Sequence, residues 1–322
     1  MPAAGAFTII VNASDAGKRL DVLLSSQLSA SSRSYIANLV LDKKIRVNGT
    51  LKKPGYRVKT GDEIRGKILP VETVSFAPEP IEIDFLYEDR DLIIINKQPG
   101  LVVHPAPGHY SGTLVNALLY HRPGICCVGD ELRPGIVHRL DKDTSGALVV
   151  AKNTAAHDHL KAQFKSRKVQ KTYLALVYGE MNNDTGMISA PIGRHPVHRK
   201  RMSTKSRKSR PAETHWKVND RFGGLTLLEL SLKTGRTHQI RVHCAAINHP
   251  IVGDPVYSGG RVKNNLPKTL CGIIKAASRQ MLHAWRLGLS HPTSNNMVTF
   301  EAPLPPDFTE LTKRLKYIRD SE

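Results

Sequence analysis

From residue 15 to about 75 the apolar positions first follow a helical period and then alternate. Leu20, Leu23, Leu24 and Leu28 share one face of a helix, and Ile36, Leu39 and Val40 share one face of a second, which Ser31 or Ser32 is placed to cap. Ile45 to Leu51 alternates around Asn48-Gly49, the residue pair of a tight hairpin turn, and predicts two short strands. Gly61-Asp62 is a further turn before Glu63-Ile64. Residues 1–14 read as a tail or an edge strand. A proline-rich stretch, 69–80, follows, with the linker proper at 76–80. Such a segment is semi-extended and predicts that the small unit can reorient.

The large domain is read at 81–322. Ile83 to Tyr87, Leu92 to Asn96, Ala147 to Ala151, Tyr173 to Val177, Leu225 to Leu232 and Ile240 to His243 read as strands. Thr113 to Tyr120, His157 to Phe164 and Phe308 to Arg319 read as helices. The regular strand–helix alternation of a doubly wound fold is missing. The expected class is therefore α+β, with a mixed, mostly antiparallel sheet and a cleft across its face.

Charge changes this picture. The chain carries 47 Lys and Arg against 28 Asp and Glu, a net charge of +19, which points to a polyanionic partner. No apolar run approaches the roughly 20 residues that span a bilayer, so nucleic acid is favoured over membrane. No signal peptide is read at the N-terminus, and the expected location is cytoplasmic. The four cysteines (Cys126, Cys127, Cys244, Cys271) have neither disulfide-framework nor zinc-ligand spacing. No metal site and no cofactor loop are read. Residues 15–75 hold 12 Lys and Arg against 6 acids, with Arg33, Lys43, Lys44, Arg46, Lys52 and Lys53 as candidate phosphate contacts. Residues 194–210 hold eight Lys and Arg and no acid. That run is either a solvated loop or an arm ordered by RNA, with Arg199, Lys200 and Arg201 at its centre.

Candidate chemistry is concentrated at 135–152, Gly-Ile-Val-His-Arg-Leu-Asp-Lys-Asp-Thr-Ser-Gly-Ala-Leu-Val-Val-Ala-Lys. Apolar residues on either side anchor a compact polar cluster, the layout of a reactive loop between core strands. This string resembles the signature loop of the RluA-type RNA pseudouridine synthases. Asn96-Lys97-Gln98-Pro99-Gly100, Lys171-Thr172-Tyr173-Leu174-Ala175, Thr234-Gly235-Arg236-Thr237-His238-Gln239-Ile240-Arg241-Val242-His243 and Gln280-Met281-Leu282-His283-Ala284 resemble further motifs of that family. The helix–helix–hairpin unit resembles an S4 RNA-binding domain. Together with Val252-Gly253-Asp254-Pro255-Val256-Tyr257, the domain pairing is closest to the branch acting on large-subunit ribosomal RNA.

The resemblance implies an isomerase that needs no cofactor: N1–C1′ breaks, the uracil turns, and C5 bonds to C1′. It implies Asp141 as the catalytic carboxylate, attacking C1′ or C6 or deprotonating C2′, and Arg241 as the cation that keeps it ionised. Tyr173 is implied to stack on the uracil, the alternative being a packed core tyrosine. Leu282 is implied as an apolar wall, with plain core almost as good a reading. Arg139 is implied to fill the space of the extruded base, against an ion pair with Asp141 or Asp143. His238 and His243 read as structural or RNA-facing. The expected partner is ribosomal RNA or a precursor of the large subunit, and the expected state is a monomer. A non-catalytic RNA-binding assembly factor on the same scaffold is the competing reading.

Overall fold

A computed structural model of the chain describes residues 5–28, 33–68, 77–104, 111–130, 133–198, 201–259 and 266–321, and all structural statements concern these. Ser31, Ser32, Arg199, Lys200 and most of the proline-rich stretch lie outside them. The chain divides into two compact units, Met1–Ser75 and Phe76–Glu322.

In the first unit, strand β1 (Gly5–Ile10) precedes helices α1 (Leu20–Gln27) and α2 (Arg33–Leu41), and strands β2 (Ile45–Val47) and β3 (Glu63–Ile68) follow. The sheet order is β1-β3-β2, both pairings antiparallel, so residues 5–10 form an edge strand of this unit. Leu20, Leu23, Leu24, Ile36, Leu39 and Val40 pack on Ile45, Val47 and Ile64 as one core. Each such side chain contributes roughly 1.5–3 kcal/mol on burial. Asn48 and Gly49 both have positive φ (50° and 71°), which makes the tight turn. The second strand expected after that turn is reduced to a bridge from Thr50 to Val47, and β2 pairs with β3 instead. Asn48 causes this: its side chain accepts from Glu63 N and donates to Asp62, each at 2.8 Å, tying the turn to β3. Lys43, Lys44, Arg46 and Lys53 are exposed. Lys52 lies over the Tyr56 ring. Arg33 is bound to the buried Asp21 at 3.1 Å, so one of its edges is already occupied.

The second unit is built on a nine-stranded sheet. Its elements in chain order are β4 (Asp84–Glu88), β5 (Leu92–Lys97), α3 (Leu114–His121), β6 (Gly129–Asp130), β7 (Arg133–Pro134), β8 (Ser145–Ala151), α4 (Thr154–Lys165) and β9 (Gln170–Tyr178). There follow β10 (Thr185–Ser189), β11 (Ile192–Arg194), β12 (Met202–Ser203), β13 (Ser209–Arg210), β14 (Glu213–Arg221), β15 (Leu225–Leu232), α5 (Gln239–Ala246), α6 (Lys268–Ile274), β16 (Leu282–Ser290), β17 (Met297–Glu301) and α7 (Pro306–Ser321). The order is β10-β14-β15-β9-β16-β8-β5-β4, with β17 on β16, and only β8–β16 is parallel. Strands β5 and β8 are continuous apolar runs because both faces are covered. Ile93, Ile95, Leu148 and Val150 join the core with α3, while Leu92, Ile94, Val149 and Ala151 join the one with α4.

A further sequence expectation needs correction. Ile240 to His243 is not a strand but lies in helix α5. Six consecutive residues from Gln239 to Cys244 are buried, so no polar face marks a helical period. Within the segment read as linker, Glu79 N donates to Asn116 O at 3.0 Å and Asn116 donates to Ala77 O at 2.9 Å, which ties 77–79 to α3. Within the basic run, β11, β12 and β13 form a small antiparallel sheet, and Arg201 is exposed in its turn. No helix among the described residues is long and apolar enough to cross a membrane.

Candidate active site

The loop between β7 and β8 is gripped along its length. His138 Nε2 accepts from Val149 N at 3.0 Å while its ring stacks on Phe164. The buried Lys97 ammonium donates to three carbonyls, those of Gln98, Leu101 and Lys142, at 2.7–2.9 Å. Burial pulls its pKa down to about 7 against the charges of Asp143 and Asp141. Arg279 donates to Asp143 O at 3.0 Å while its other edge holds Asp307 on α7. Ser145 bonds His283 Nδ1 at 3.0 Å, and His283 Nε2 lies 3.1 Å from Ala302 O. At Gly146 (φ 111°) a Cβ would sit 2.2 Å from Ala284 O, so the parallel β8–β16 approach requires glycine there. The loop is thereby fixed by strands from distant parts of the chain, and Asp141, half-buried, is presented at its tip.

Two of those anchors are histidines that the fold keeps neutral. His138 is lowered to about 3 by burial and then by Lys171, and His283 to about 4, chiefly by burial. In the unfolded chain both take up protons near pH 6.5. Their stabilising contribution is complete above pH 6.5 and is lost as pH falls toward 4 and then 3. Thermal melts between pH 7 and 5, above the window where buried carboxylates titrate, should show a falling midpoint in the wild type. The fall should be shallower in His283→Gln, and parallel slopes for the two proteins would rule out this source of acid sensitivity.

Opposite the loop stands α5. His238 enters it in a left-handed conformation (φ 56°), and Gln239 ties its first turn to the sheet. Gln239 accepts from Thr234 Oγ1 at 2.7 Å and Arg236 N at 3.0 Å, and donates to Glu213 O at 2.9 Å. One turn of helix carries Arg241 to the loop, where its Nη1 meets Asp141 Oδ2 at 3.0 Å. Its Nε and Nη2 clasp Asp254 at 2.7 and 3.0 Å. Asp254 has no exposed side-chain surface and also accepts from Val256 N and Tyr257 N at 2.8 and 3.1 Å. Burial alone would lower the Arg241 pKa, but Asp254 and then Asp141 hold it above its ordinary value.

Asp141, Arg139, Tyr173, Arg241 and Leu282 thus line one cavity of about 120 Å³, together with His238 and Thr144. Burial and then the Asp141 charge hold the Tyr173 phenol well above its ordinary pKa, so it is protonated at neutral pH. Arg139 is exposed and makes no ion pair with Asp141 or Asp143, which removes the structural alternative read for it. His243 is fully buried between Thr214 Oγ1 and Ala190 O, each at 2.9 Å, and is structural, whereas His238 faces the cavity. The sequence reading quoted Asp254 in a motif without giving it a role. An acid beside glycine and proline looks like an ordinary turn residue.

A second cavity, of about 470 Å³, shares Arg139, Tyr173, Leu232, Gly235 and Arg236 with the first. It adds Lys165, Arg167, Lys171 and Lys233, and no acid is among its described lining residues. The sequence reading missed this groove because its cations come from three separate segments.

The profile of the RNA pseudouridylate synthase family matches residues 91–246, and that of the S4 domain residues 18–64. The chain is 43% identical to the uncharacterized RNA pseudouridine synthase YlyB of Bacillus subtilis, over 93% of this chain and 94% of that one. It is 44% identical to ribosomal large subunit pseudouridine synthase D of Nitrosomonas europaea, over 95% of this chain and 87% of that one. The protein of that name from Escherichia coli K12 is 41% identical, over 96% and 94%. Among solved structures, human RNA pseudouridylate synthase domain containing 1 is similar with a TM-score of 0.55 at 29% identity, over 74% of this chain and 96% of that one.

Proposed function

Because the chain belongs to the RNA pseudouridine synthase family, we propose that it isomerises uridines of large-subunit ribosomal RNA with Asp141 as the catalytic carboxylate. One observation carries the residue assignment. Asp141 is a carboxylate in a walled cavity, held by a buried arginine whose remaining donors are neutralised by a second carboxylate. The substrate follows from the relatives that act on large-subunit ribosomal RNA and from the chain's net charge of +19.

In the reaction N1–C1′ breaks, the uracil turns, C5–C1′ forms, the C5 hydrogen leaves as a proton and N1 gains one. Attack on C1′, attack on C6 and proton removal from C2′ all place the carboxylate against the sugar–base junction. The Arg241 fork fixes its orientation, and an arginine suits this because its planar donors serve both carboxylates at once. Tyr173 meets the base as a neutral ring with an O–H, and Leu282 supplies an apolar wall. A stacked uridine must be extruded to enter, at a cost of a few kcal/mol. The exposed guanidinium of Arg139, at the cavity rim, is suited to occupy the vacated space. The first unit, with its exposed Lys43, Lys44, Arg46 and Lys53, adds backbone contacts that carry affinity and little sequence reading.

The test is tritium release from large-subunit ribosomal RNA labelled at uridine C5, since isomerisation frees that hydrogen without changing the mass of the unlabelled RNA. Release by the purified protein is expected. Binding without release, from naked RNA and from subunit precursors alike, would leave a non-catalytic RNA-binding role. The basic groove gives a second check. We assign it to the phosphodiester backbone beside the target, so replacing Lys165, Arg167 and Lys233 by glutamine together should flatten the salt dependence of binding. The expected loss is about 0.7 in log–log slope per phosphate contact removed. An unchanged slope would move the RNA track elsewhere.

A further inference from the structure

Behind the cavity wall a short chain of hydrogen bonds runs from Met202 through Tyr257 to His238. The Tyr257 hydroxyl oxygen accepts the backbone N–H of Met202 at 2.8 Å. An amide N–H only donates, so the tyrosine's single proton remains available. The other partner of that hydroxyl, also at 2.8 Å, is Nδ1 of His238. Met202 N–H donates to Tyr257, which leaves the Tyr257 O–H able to donate to His238 Nδ1. A neutral imidazole that accepts at Nδ1 carries its proton on Nε2. Burial, the largest influence on this ring, favours the neutral form and outweighs the pull of Asp141.

Nε2 faces the cavity. Asp141 Oδ2 is 3.9 Å away, beyond hydrogen-bond range, and that oxygen already receives Arg241. The backbone at His238 is left-handed, uncommon for a residue with a Cβ, and this turns the ring inward ahead of α5. In that tautomer Nε2–H is a donor at the cavity, with no acceptor within hydrogen-bond range among the described residues.

We infer that His238 Nε2–H donates to a carbonyl oxygen of the uracil held in the cavity, with Tyr257 as the residue that positions this proton. The inference rests on the synthase reading and assigns the base a contact within it. When N1–C1′ breaks, the bonding pair stays with the uracil and spreads onto O2 and O4. A preset N–H donor strengthens as that charge grows, and no proton needs to leave the imidazole. The basic hairpin is linked to the same donor, because Met202 is the first residue of β12.

Glutamine can place an amide N–H where Nε2 stands, whereas asparagine reaches only the position of Nδ1. Tritium release should fall about 100-fold in His238→Asn, the scale of losing one such donor, and should recover at least tenfold of that in His238→Gln. The loss should appear in kcat more than in KM. Glutamine no better than asparagine overturns the inference. A second arm needs no activity: nitrogen NMR of histidine-labelled protein should show His238 neutral with its proton on Nε2, and this preference should be lost in Tyr257→Phe. A proton on Nδ1, or a charged ring at pH 7, overturns the inference even if the wild type reacts. Absence of tritium release by the wild type would instead count against the synthase reading, and the nitrogen spectra would still decide the tautomer.

Discussion

Asp141→Asn is expected to lower turnover by at least about 10⁴-fold, the scale seen when an enzyme loses its nucleophile or base, while RNA affinity stays within about twofold. The physical reason for the split is the arrangement around Arg241. Asparagine keeps an oxygen for Arg241 Nη1 to bond at 3.0 Å, and the arginine's charge is still balanced by Asp254 at 2.7 and 3.0 Å. Nothing buried is left unpaired, so the loop, the cavity and the basic groove keep their shape. Only the negative charge and its lone-pair reactivity are lost. Tritium release under single-turnover conditions, beside a filter-binding titration on the same RNA, measures both halves. Turnover within tenfold of the wild type would remove Asp141 from the chemistry. A parallel loss of affinity would make it a binding residue.

Asp254→Ala should act through stability first. The substitution strands a guanidinium with 6% side-chain exposure and leaves the Val256 and Tyr257 amides without their acceptor. Breaking a buried pair from one side costs about 3–5 kcal/mol, which thermal or urea unfolding would register as a large fall in midpoint. Turnover should fall with it, because Arg241 is then free to pivot toward Asp141 alone. Replacing both partners, Arg241→Met with Asp254→Leu, should recover much of the stability but none of the activity. That contrast separates the cost of an unpaired charge from the catalytic use of the arginine. A single Asp254→Ala variant with an unchanged midpoint would show that solvent reaches the pair.

Much of this was legible in the residues, for reasons that differ by element. Leu225 to Leu232 reads as a strand because its leucines recur at every second position on either side of the Leu227-Leu228 pair. The runs at Leu92 to Ile95 and Ala147 to Ala151 are apolar throughout because helices cover both faces. Helix α5 was not legible, since burial on all sides erases the period that separates helix from strand. The loop at His138 to Ser145 announced its chemistry through its motif, and the structure brings Arg241, Tyr173 and Leu282 around Asp141. The sequence could not show that Asp254 completes the clasp, that Lys97 props the loop on three carbonyls, or that Lys165, Arg167, Lys171, Lys233 and Arg236 meet in one groove. These depend on contacts across long chain separations, such as the 100 residues between Asp141 and Arg241.

The pairing of β8 with β16 bears on when the protein becomes competent during its synthesis. Strand β8 carries the loop of Asp141 and leaves one backbone edge open until residues near 282 arrive. Ser145 and His283 are 138 residues apart. A growing chain that has reached only α5 already holds both Asp141 and Arg241, yet it exposes an unpaired apolar strand and lacks the Ser145–His283 tie. Loop closure over such a separation carries an entropic cost that only the completed sheet repays. The unfinished edge is also an aggregation liability at that stage. Activity therefore arrives late and all at once, when β16 fills the gap between β9 and β8.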